Sequence, residues 1–325
     1  MNKSLSVFFY EAFQEEEHAL RACLPPEISA GFTWKSIQEA GHAEPPAPII
    51  SIRTQSSIPD AWARSLKGIL TRSAGYDHVA AWQEANPADV KAGYLPEYCV
   101  RAVAEQAALL WMALLRKLPQ QQRQFPVFHR DGITGRECAG KNLLVAGVGH
   151  IGREIVRLGQ SLNMRVAGVD IVQKHNDVSY TDIVSGLRTA DVVVCAMNLT
   201  ADNAAYFNYK RFADCRPGLI FVNVARGEMS PPADLLRLLD EGILGGVGLD
   251  VYPDEPRTAM LLRSGEPAND PVVNDLRELS GRPNAILTPH NAFNTEESVE
   301  RKSAQSVQQI AHFMETGGFL WPLPG

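Results

Sequence analysis

Residues 142–158 read NLLVAGVGHIGREIVRL, and the fold turns on this stretch. Leu143 to Ala146 are an apolar run of strand length, and Ile155, Val156 and Leu158 further on open a helical pattern. Between the two lies Gly147-Val148-Gly149-His150-Ile151-Gly152, a G-x-G-x-x-G turn. The first glycine permits a tight turn, the second lets the backbone approach a pyrophosphate, and the third lets helix and strand pack closely. The helix N-terminus then offers free amides and a positive dipole end to the phosphates. Glycine turns also occur for purely structural reasons, so the strand that follows matters. It ends at Asp170, 18 residues after Gly152 (170 − 152 = 18), close to the spacing of an acid that accepts hydrogen bonds from the adenosine ribose hydroxyls. The charge of Asp170 repels a 2′-phosphate, and Ile171 and Val172 behind it supply no cation, so NAD is expected rather than NADP.

Outward from this centre, short Val-, Ile- and Leu-rich runs alternate with helical patterns: residues 165–169, 192–196, 219–224, 247–249 and 285–287. Runs apolar on both faces are buried parallel strands, with crossover helices on both sides of the sheet. Ser230-Pro231 reads as a cap and first helical position ahead of Leu235, Leu236, Leu238 and Leu239. Ala107, Leu110, Trp111, Leu114 and Leu115 mark the buried face of a long preceding helix. A last helix is expected after the caps Asn294 and Thr295, with Glu296 and Glu297 in its first turn and Val307, Ile310, Ala311 and Met314 facing the core. The first hundred residues alternate in the same way, with strands near 6–9, 49–52 and 68–71. The expected fold is α/β with two domains: residues 1–101 with 293–325 as one, and residues 102–292 as an inserted doubly wound parallel sheet.

Composition agrees with two such cores. At roughly 150 residues per domain, 325 residues with 45% hydrophobic content make about two. Lys+Arg 31 against Asp+Glu 37 gives a net charge of −6, which argues against a nucleic-acid partner. The longest apolar stretch, Ala107 to Leu115, falls far short of the roughly 20 residues of a membrane helix, so no membrane association is expected. Residues 7–10 run into Glu11, Glu15, Glu16 and Glu17, which does not fit a secretory signal, and a cytoplasmic location is expected. Cys23, Cys99, Cys138, Cys195 and Cys215 are odd in number and lack zinc-ligand spacing; reduced, partly buried thiols and no metal site are expected.

In doubly wound sheets, reactive groups sit past the carboxyl ends of the later strands. Arg226, Glu255 and His290 each follow such a strand. A guanidinium can clamp a substrate carboxylate and polarise its carbonyl. An imidazole can protonate the alkoxide that forms, and a carboxylate beside it can orient the ring and favour its cation. Singly, Arg226 could be a phosphate or capping contact, Glu255 a surface acid and His290 a histidine satisfied by backbone; together they form a set for reducing a 2-oxo acid.

The stretches SAGYDHV (73–79), YCVRAVAEQ (98–106), GVGHIG (147–152), VNVARGE (222–228), GLDVYPDEP (248–256) and TPHNAFNT (288–295) resemble those of the D-isomer-specific 2-hydroxyacid dehydrogenases. The resemblance implies a flavodoxin-like catalytic domain, an inserted Rossmann NAD-binding domain, an active site between them, and a homodimer formed through the NAD domains. It implies the roles given above to Arg226, Glu255 and His290, substrate contacts at Gly75 and Tyr76, and cofactor contacts at Gly147, Gly149, His150, Ile151, Gly152, Asp170, Val224, Ala225 and Asp250. Tyr98 is seven residues before Glu105, as in the D-lactate dehydrogenase branch, where that tyrosine meets substrate; Asn203 matches a cofactor contact of the same branch. The chain departs from the family at Met197-Asn198, which stands where a Val-Pro turn is common near the nicotinamide ribose. It departs again at Ser51-Ile52-Arg53-Thr54-Gln55, where the lactate branch has an aromatic residue. Arg53 is either a surface arginine at a strand end or a substrate contact that favours a second anionic group. Two other functions stay open at this level: an NAD(H)-sensing regulatory protein of the same fold, and a dehydrogenase for a related small anion such as formate or phosphite.

Overall fold

A computed structural model describes residues 4–265 and 269–324. The chain divides into two compact units, Met1–Cys99 with Asn294–Gly325, and Val100–Phe293.

The first unit is built on five parallel strands, β1 (Val7–Phe9), β2 (Ala30–Phe32), β3 (Ile49–Ile52), β4 (Gly68–Thr71) and β5 (Lys91–Gly93), in the order β2-β1-β3-β4-β5. Every position of β3 and β4 is buried, as in a parallel sheet covered on both faces. One face packs Ile50, Ile52, Trp62, Ile69 and Val79 into a common core. Strand order reverses between β1 and β3, and the crevice beyond the carboxyl ends at such a reversal is where open α/β sheets bind ligands.

The helix Glu296–Thr316 packs against the helix Gln14–Cys23 in this unit. Thr295 caps it, its side chain accepting from the Ser298 amide. Its buried face differs from the apolar stripe expected. Met314 is 46% exposed, while Lys302, Ser303, Ser306 and Gln309 are fully buried beside Val307 and Ile310. Lys302 is paired with Glu16, Ser306 donates to the Lys302 carbonyl and Gln309 donates to the Tyr94 carbonyl. Polar partners let Lys302, Ser306 and Gln309 lie inside the packed face of the helix.

The second unit has six parallel strands, β6 (Asn142–Ala146), β7 (Arg165–Val169), β8 (Val192–Cys195), β9 (Leu219–Asn223), β10 (Leu244–Leu249) and β11 (Ala285–Leu287), ordered β11-β10-β9-β8-β6-β7. A single parallel bridge, Gly168 to Tyr180, extends the sheet past β7. The order reverses between β6 and β8, beside the glycine turn. Ala107, Leu110, Trp111, Leu114 and Leu115 of the helix Val100–Leu115 are all buried. Ser230, read above as a cap, is not one: the helix Pro232–Asp240 has Pro231 at its N-cap, and the buried Ser230 hydroxyl is engaged by Asn223 instead. Among the described residues, no helix is long and apolar enough to cross a membrane.

Candidate active site

Strand β6 runs through Gly147 and Val148 into the helix His150–Ser161, whose N-cap is Gly149. Gly147 has φ +87°, and a Cβ on Gly152 would fall 1.8 Å from the Gly147 carbonyl oxygen, so strand and helix close on each other only without a side chain there. Gly149 is different. A Cβ on it would meet nothing within 4 Å, so the protein's own packing does not demand a glycine; the absence of a Cβ leaves bare backbone there, as the close approach of a pyrophosphate needs. His150 is exposed and Ile151 half-buried on the first turn of the helix.

Asp170 follows β7 and ties it to this turn: one carboxylate oxygen accepts from the Val148 amide at 2.6 Å and the other from the Val172 amide at 3.0 Å. Met197 lies across the turn, its amide nitrogen 2.6 Å from where a Gly147 Cβ would sit. Asn203 accepts from the Thr200 amide and donates to the Asn198 carbonyl, both at 2.8 Å, and so folds the loop that leaves β8.

Arg226, Glu255 and His290 follow β9, β10 and β11, three adjacent parallel strands, so all three leave the same edge of the sheet. Asn223 organises the first loop. Its side chain accepts from the Ala225 amide at 3.0 Å and donates to the Arg226 carbonyl and the Ser230 hydroxyl, each at 2.8 Å. Val224 and Ala225 are buried, and the Arg226 guanidinium donates to the Ala225 carbonyl at 2.9 Å. The next residue, Gly227, packs so tightly that a Cβ would come within 1.9 Å of the Tyr252 backbone.

Glu255 opens the helix Glu255–Ser264, and its carboxylate lies 2.6 and 2.7 Å from His290 Nδ1. His290 has φ +48°, a left-handed conformation unusual for a non-glycine residue. Asp250 sustains it: its carboxylate accepts from the Thr288 hydroxyl, from the Asn291 amide at 2.8 Å and from the Ala292 amide at 2.9 Å. Tyr252 closes the same loop by donating to the Thr288 carbonyl at 2.7 Å. Burial raises the Asp250 carboxyl above its ordinary value, against the opposing pull of His290 and these three donors. Three accepted hydrogen bonds leave a carboxylate capacity for one more donor.

In the first unit, Arg53 is the first residue past β3 and Glu11 the second past β1, on the two sides of the strand reversal. The Glu11 carboxylate accepts from the backbone amides of Arg53 at 3.1 Å and Gln55 at 3.0 Å, and Glu11 itself has φ +54°. Beneath lies a buried charge cluster. Glu16 is 2.7 Å from Arg72 and 2.9 Å from Lys302, with all three side chains 0% exposed, and Arg72 also donates to the Ser51 hydroxyl and the Tyr10 carbonyl. Burial pushes the Glu16 carboxyl up, but Arg72, Lys302 and Arg53 outweigh it and hold it at about 2. Burial also brings the Lys302 ammonium down to about 7; Arg53 and Arg72 act in the same direction, against Glu16. Tyr98 is buried under this cluster, its ring centroid 5.9 Å from the Lys302 ammonium. Gly75 lies in a turn whose carbonyl accepts from the Ser73 hydroxyl at 2.6 Å, and the Tyr76 ring packs edge-on to Tyr94 with centroids 5.0 Å apart.

Five positioning residues, Glu11, Glu16, Arg72, Asn223 and Lys302, are absent from the sequence-based set of candidates. Asn223 leaves a trace in the sequence, a polar amide closing the apolar run 219–222; the others read as ordinary surface charges.

Residues 108–292 match the NAD binding domain model of the D-isomer specific 2-hydroxyacid dehydrogenases. A D-lactate/D-glycerate dehydrogenase of Pediococcus acidilactici is 30% identical over 248 residues, 74% of this chain and 72% of that one. A D-specific alpha-keto acid dehydrogenase of Enterococcus faecalis is 25% identical over 331 aligned residues, covering 96% of this chain and 98% of that one. Among solved structures, the D-lactate dehydrogenase of Aquifex aeolicus complexed with NAD and lactic acid has a TM-score of 0.82 at 24% identity, over 97% of this chain and 99% of that one. The chain belongs to the D-isomer specific 2-hydroxyacid dehydrogenase family. It is an NAD-dependent oxidoreductase, and its second unit carries the NAD-binding Rossmann domain.

Proposed function

We propose that the protein reduces a 2-oxo acid to the D-2-hydroxy acid with NADH, using Arg226, His290 and Glu255. The observation that carries this reading is the close pair of His290 and Glu255 at the sheet edge that also presents Arg226. Bound NADH supplies the hydride. Its holders are the glycine turn 147–152, Asp170 at the adenosine ribose, and Met197, Asn198, Asn203, Val224, Ala225 and Asp250 along the rest of the cofactor. Arg226 binds the substrate carboxylate and draws electron density from the carbonyl. His290 gives a proton to the oxygen as charge develops on it. Because Nδ1 faces Glu255, the transferred proton is held on Nε2, and the carboxylate stabilises the imidazolium and fixes the ring. On the substrate side, residues 1–101 with 293–325 contribute Gly75 and Tyr76 through their backbone turn, together with Tyr98 and Arg53; residues 102–292 hold the cofactor.

The proposed assembly is a homodimer formed through the NAD-binding domains. Leu118, Phe125, Val127 and Phe128 of the second unit are 42, 73, 76 and 72% exposed within eleven residues, an apolar patch of the kind that a second copy covers. The absence of a cysteine framework supports a cytoplasmic location.

NADH oxidation, followed by absorbance with pyruvate, glyoxylate, hydroxypyruvate, oxaloacetate, 2-oxoisocaproate and phenylpyruvate, tests the reaction. Turnover of at least one is expected. Tight NADH binding with no turnover on any would favour a sensor of NAD(H) instead.

A further inference from the structure

Arg226, Glu255 and His290 leave three different strands, so their mutual geometry depends on what joins the loops after β9, β10 and β11. Residues 252–255, in the loop after β10, touch both of the other loops. On one side they meet the Arg226 turn. A Cβ on Gly227 would come within 2.3 Å of the Pro253 nitrogen, and the Glu228 carboxylate accepts from the Asp254 amide at 3.1 Å. On the other side they meet the His290 turn. The Thr288 carbonyl accepts from the hydroxyl of the buried Tyr252 at 2.7 Å and from the His290 amide at 2.9 Å, so one oxygen ties the phenol to the backbone of the proton donor. Both held amides belong to residues in an unfavourable conformation. Asp254 has φ +42° and His290 φ +48°, left-handed values that persist in non-glycine residues only where the surroundings over-determine them. Asp254 stands directly before Glu255 as the N-cap of the helix Glu255–Ser264. Burial pushes the Tyr252 phenol above its ordinary value, with Asp250 and Glu255 acting the same way, so the hydroxyl keeps its proton and remains a donor.

Given the 2-oxo acid reduction proposed above, on which this rests, we infer that residues 252–255 are a linkage that sets Glu255 and the His290 backbone in register with Arg226, with Tyr252 and Glu228 as its positioning residues. Tyr252 holds the carbonyl on which the His290 turn closes, and Glu228 holds the backbone that leads into Glu255. Neither touches substrate in this role. A proton donor, its carboxylate partner and a guanidinium must meet one substrate together, and a displacement of about 1 Å caused far from the chemistry can cost about 10²-fold in rate. Loosening the linkage disturbs the His290–Glu255 pair but leaves the glycine turn and Asp170, which follow β6 and β7, as they are.

Tyr252→Phe and Glu228→Ala, each made in the wild type and in His290→Ala, test it with the 2-oxo acid that the wild type reduces fastest. Three quantities are read: kcat, NADH affinity by fluorescence titration, and the single-turnover rate of NADH oxidation with enzyme in excess. Tyr252→Phe is expected to lower kcat about tenfold, and Glu228→Ala, whose bond is longer and more exposed, about threefold, with NADH affinity within about twofold of the wild type. In the His290→Ala background each is expected to lower the single-turnover rate by less than about twofold, because the group being positioned is gone. A kcat near wild type in either single variant removes that residue from the linkage. Losses that multiply in the double variants, or a fall in NADH affinity as large as the fall in kcat, overturn the linkage and point to general structural damage. Should Tyr252→Phe not fold, Glu228→Ala alone and with His290→Ala decides. Wild-type turnover with multiplying losses leaves the dehydrogenase reading standing; no turnover of any 2-oxo acid by the wild type removes that reading and the linkage with it.

Discussion

The two sheet edges that carry the candidate residues are held in place by different means. In the second unit, loops are folded by single side chains that satisfy nearby backbone groups: Asn223 for the Arg226 turn, Asp250 for the His290 turn, Asp170 for the glycine turn. In the first unit, a sealed group of one carboxylate and two cations joins Arg72, the residue after β4, to the helix Gln14–Cys23 and the helix Glu296–Thr316. The first arrangement fixes geometry within a loop, which a proton donor and a carboxylate clamp require. The second fixes a local field as well as a shape, and it ties stability to charge.

The largest stability effect belongs to the sealed cluster. Glu16→Gln leaves Arg72 and Lys302 buried without their shared carboxylate and is expected to cost about 3–5 kcal/mol in urea denaturation at pH 7. Its pH dependence sharpens the point. The folded Glu16 carboxyl titrates at about 2, below its ordinary 4.5, so its contribution is complete above the ordinary value and is lost as pH falls toward 2. The gap between wild type and Glu16→Gln should therefore narrow as pH falls from 4.5 toward 2, and, because Glu16 also supports the charge of the Lys302 ammonium held at about 7, narrow again as pH rises through 7; a gap independent of pH would show that the charge is not what matters.

Smaller effects are expected at the glycine turn, and they should separate packing from ligand binding. Gly152→Ala forces its Cβ into the Gly147 carbonyl and should destabilise the protein by about 1–3 kcal/mol. Gly149→Ala meets open space, so its melting temperature without ligand should match the wild type while the rise produced by NADH shrinks. An equal loss of stability in both variants would contradict the separate roles given to these glycines.

The same contrast explains what the sequence discloses. The second unit was legible because its signals are local: GVGHIG with Asp170, and residues placed a fixed distance past apolar runs. Parallel strands buried on both faces leave continuous Val, Ile and Leu runs, so the sheet could be read along with the motif. The charge cluster was not legible because Glu11, Glu16, Arg53, Arg72 and Lys302 are brought together only by the sheet order and by helix packing. On the helix Glu296–Thr316, hydropathy placed Met314 inside and gave no reason to place Lys302 there, since the reason lies in Glu16, 286 positions away (302 − 16 = 286). Ser230 departs from the expected cap for a related cause: Pro231 after it imitates a capping pattern, while the buried amide of Asn223 claims its hydroxyl.

In the proposed reaction His290, held by Glu255 and Asp250, moves the proton in the chemical step. The most direct measurement is turnover of His290→Ala, alongside NADH affinity by fluorescence titration, on the best 2-oxo acid. A fall in kcat of about 10²–10⁴-fold with NADH affinity near that of the wild type is the predicted result. Turnover close to wild type would remove His290 from the mechanism.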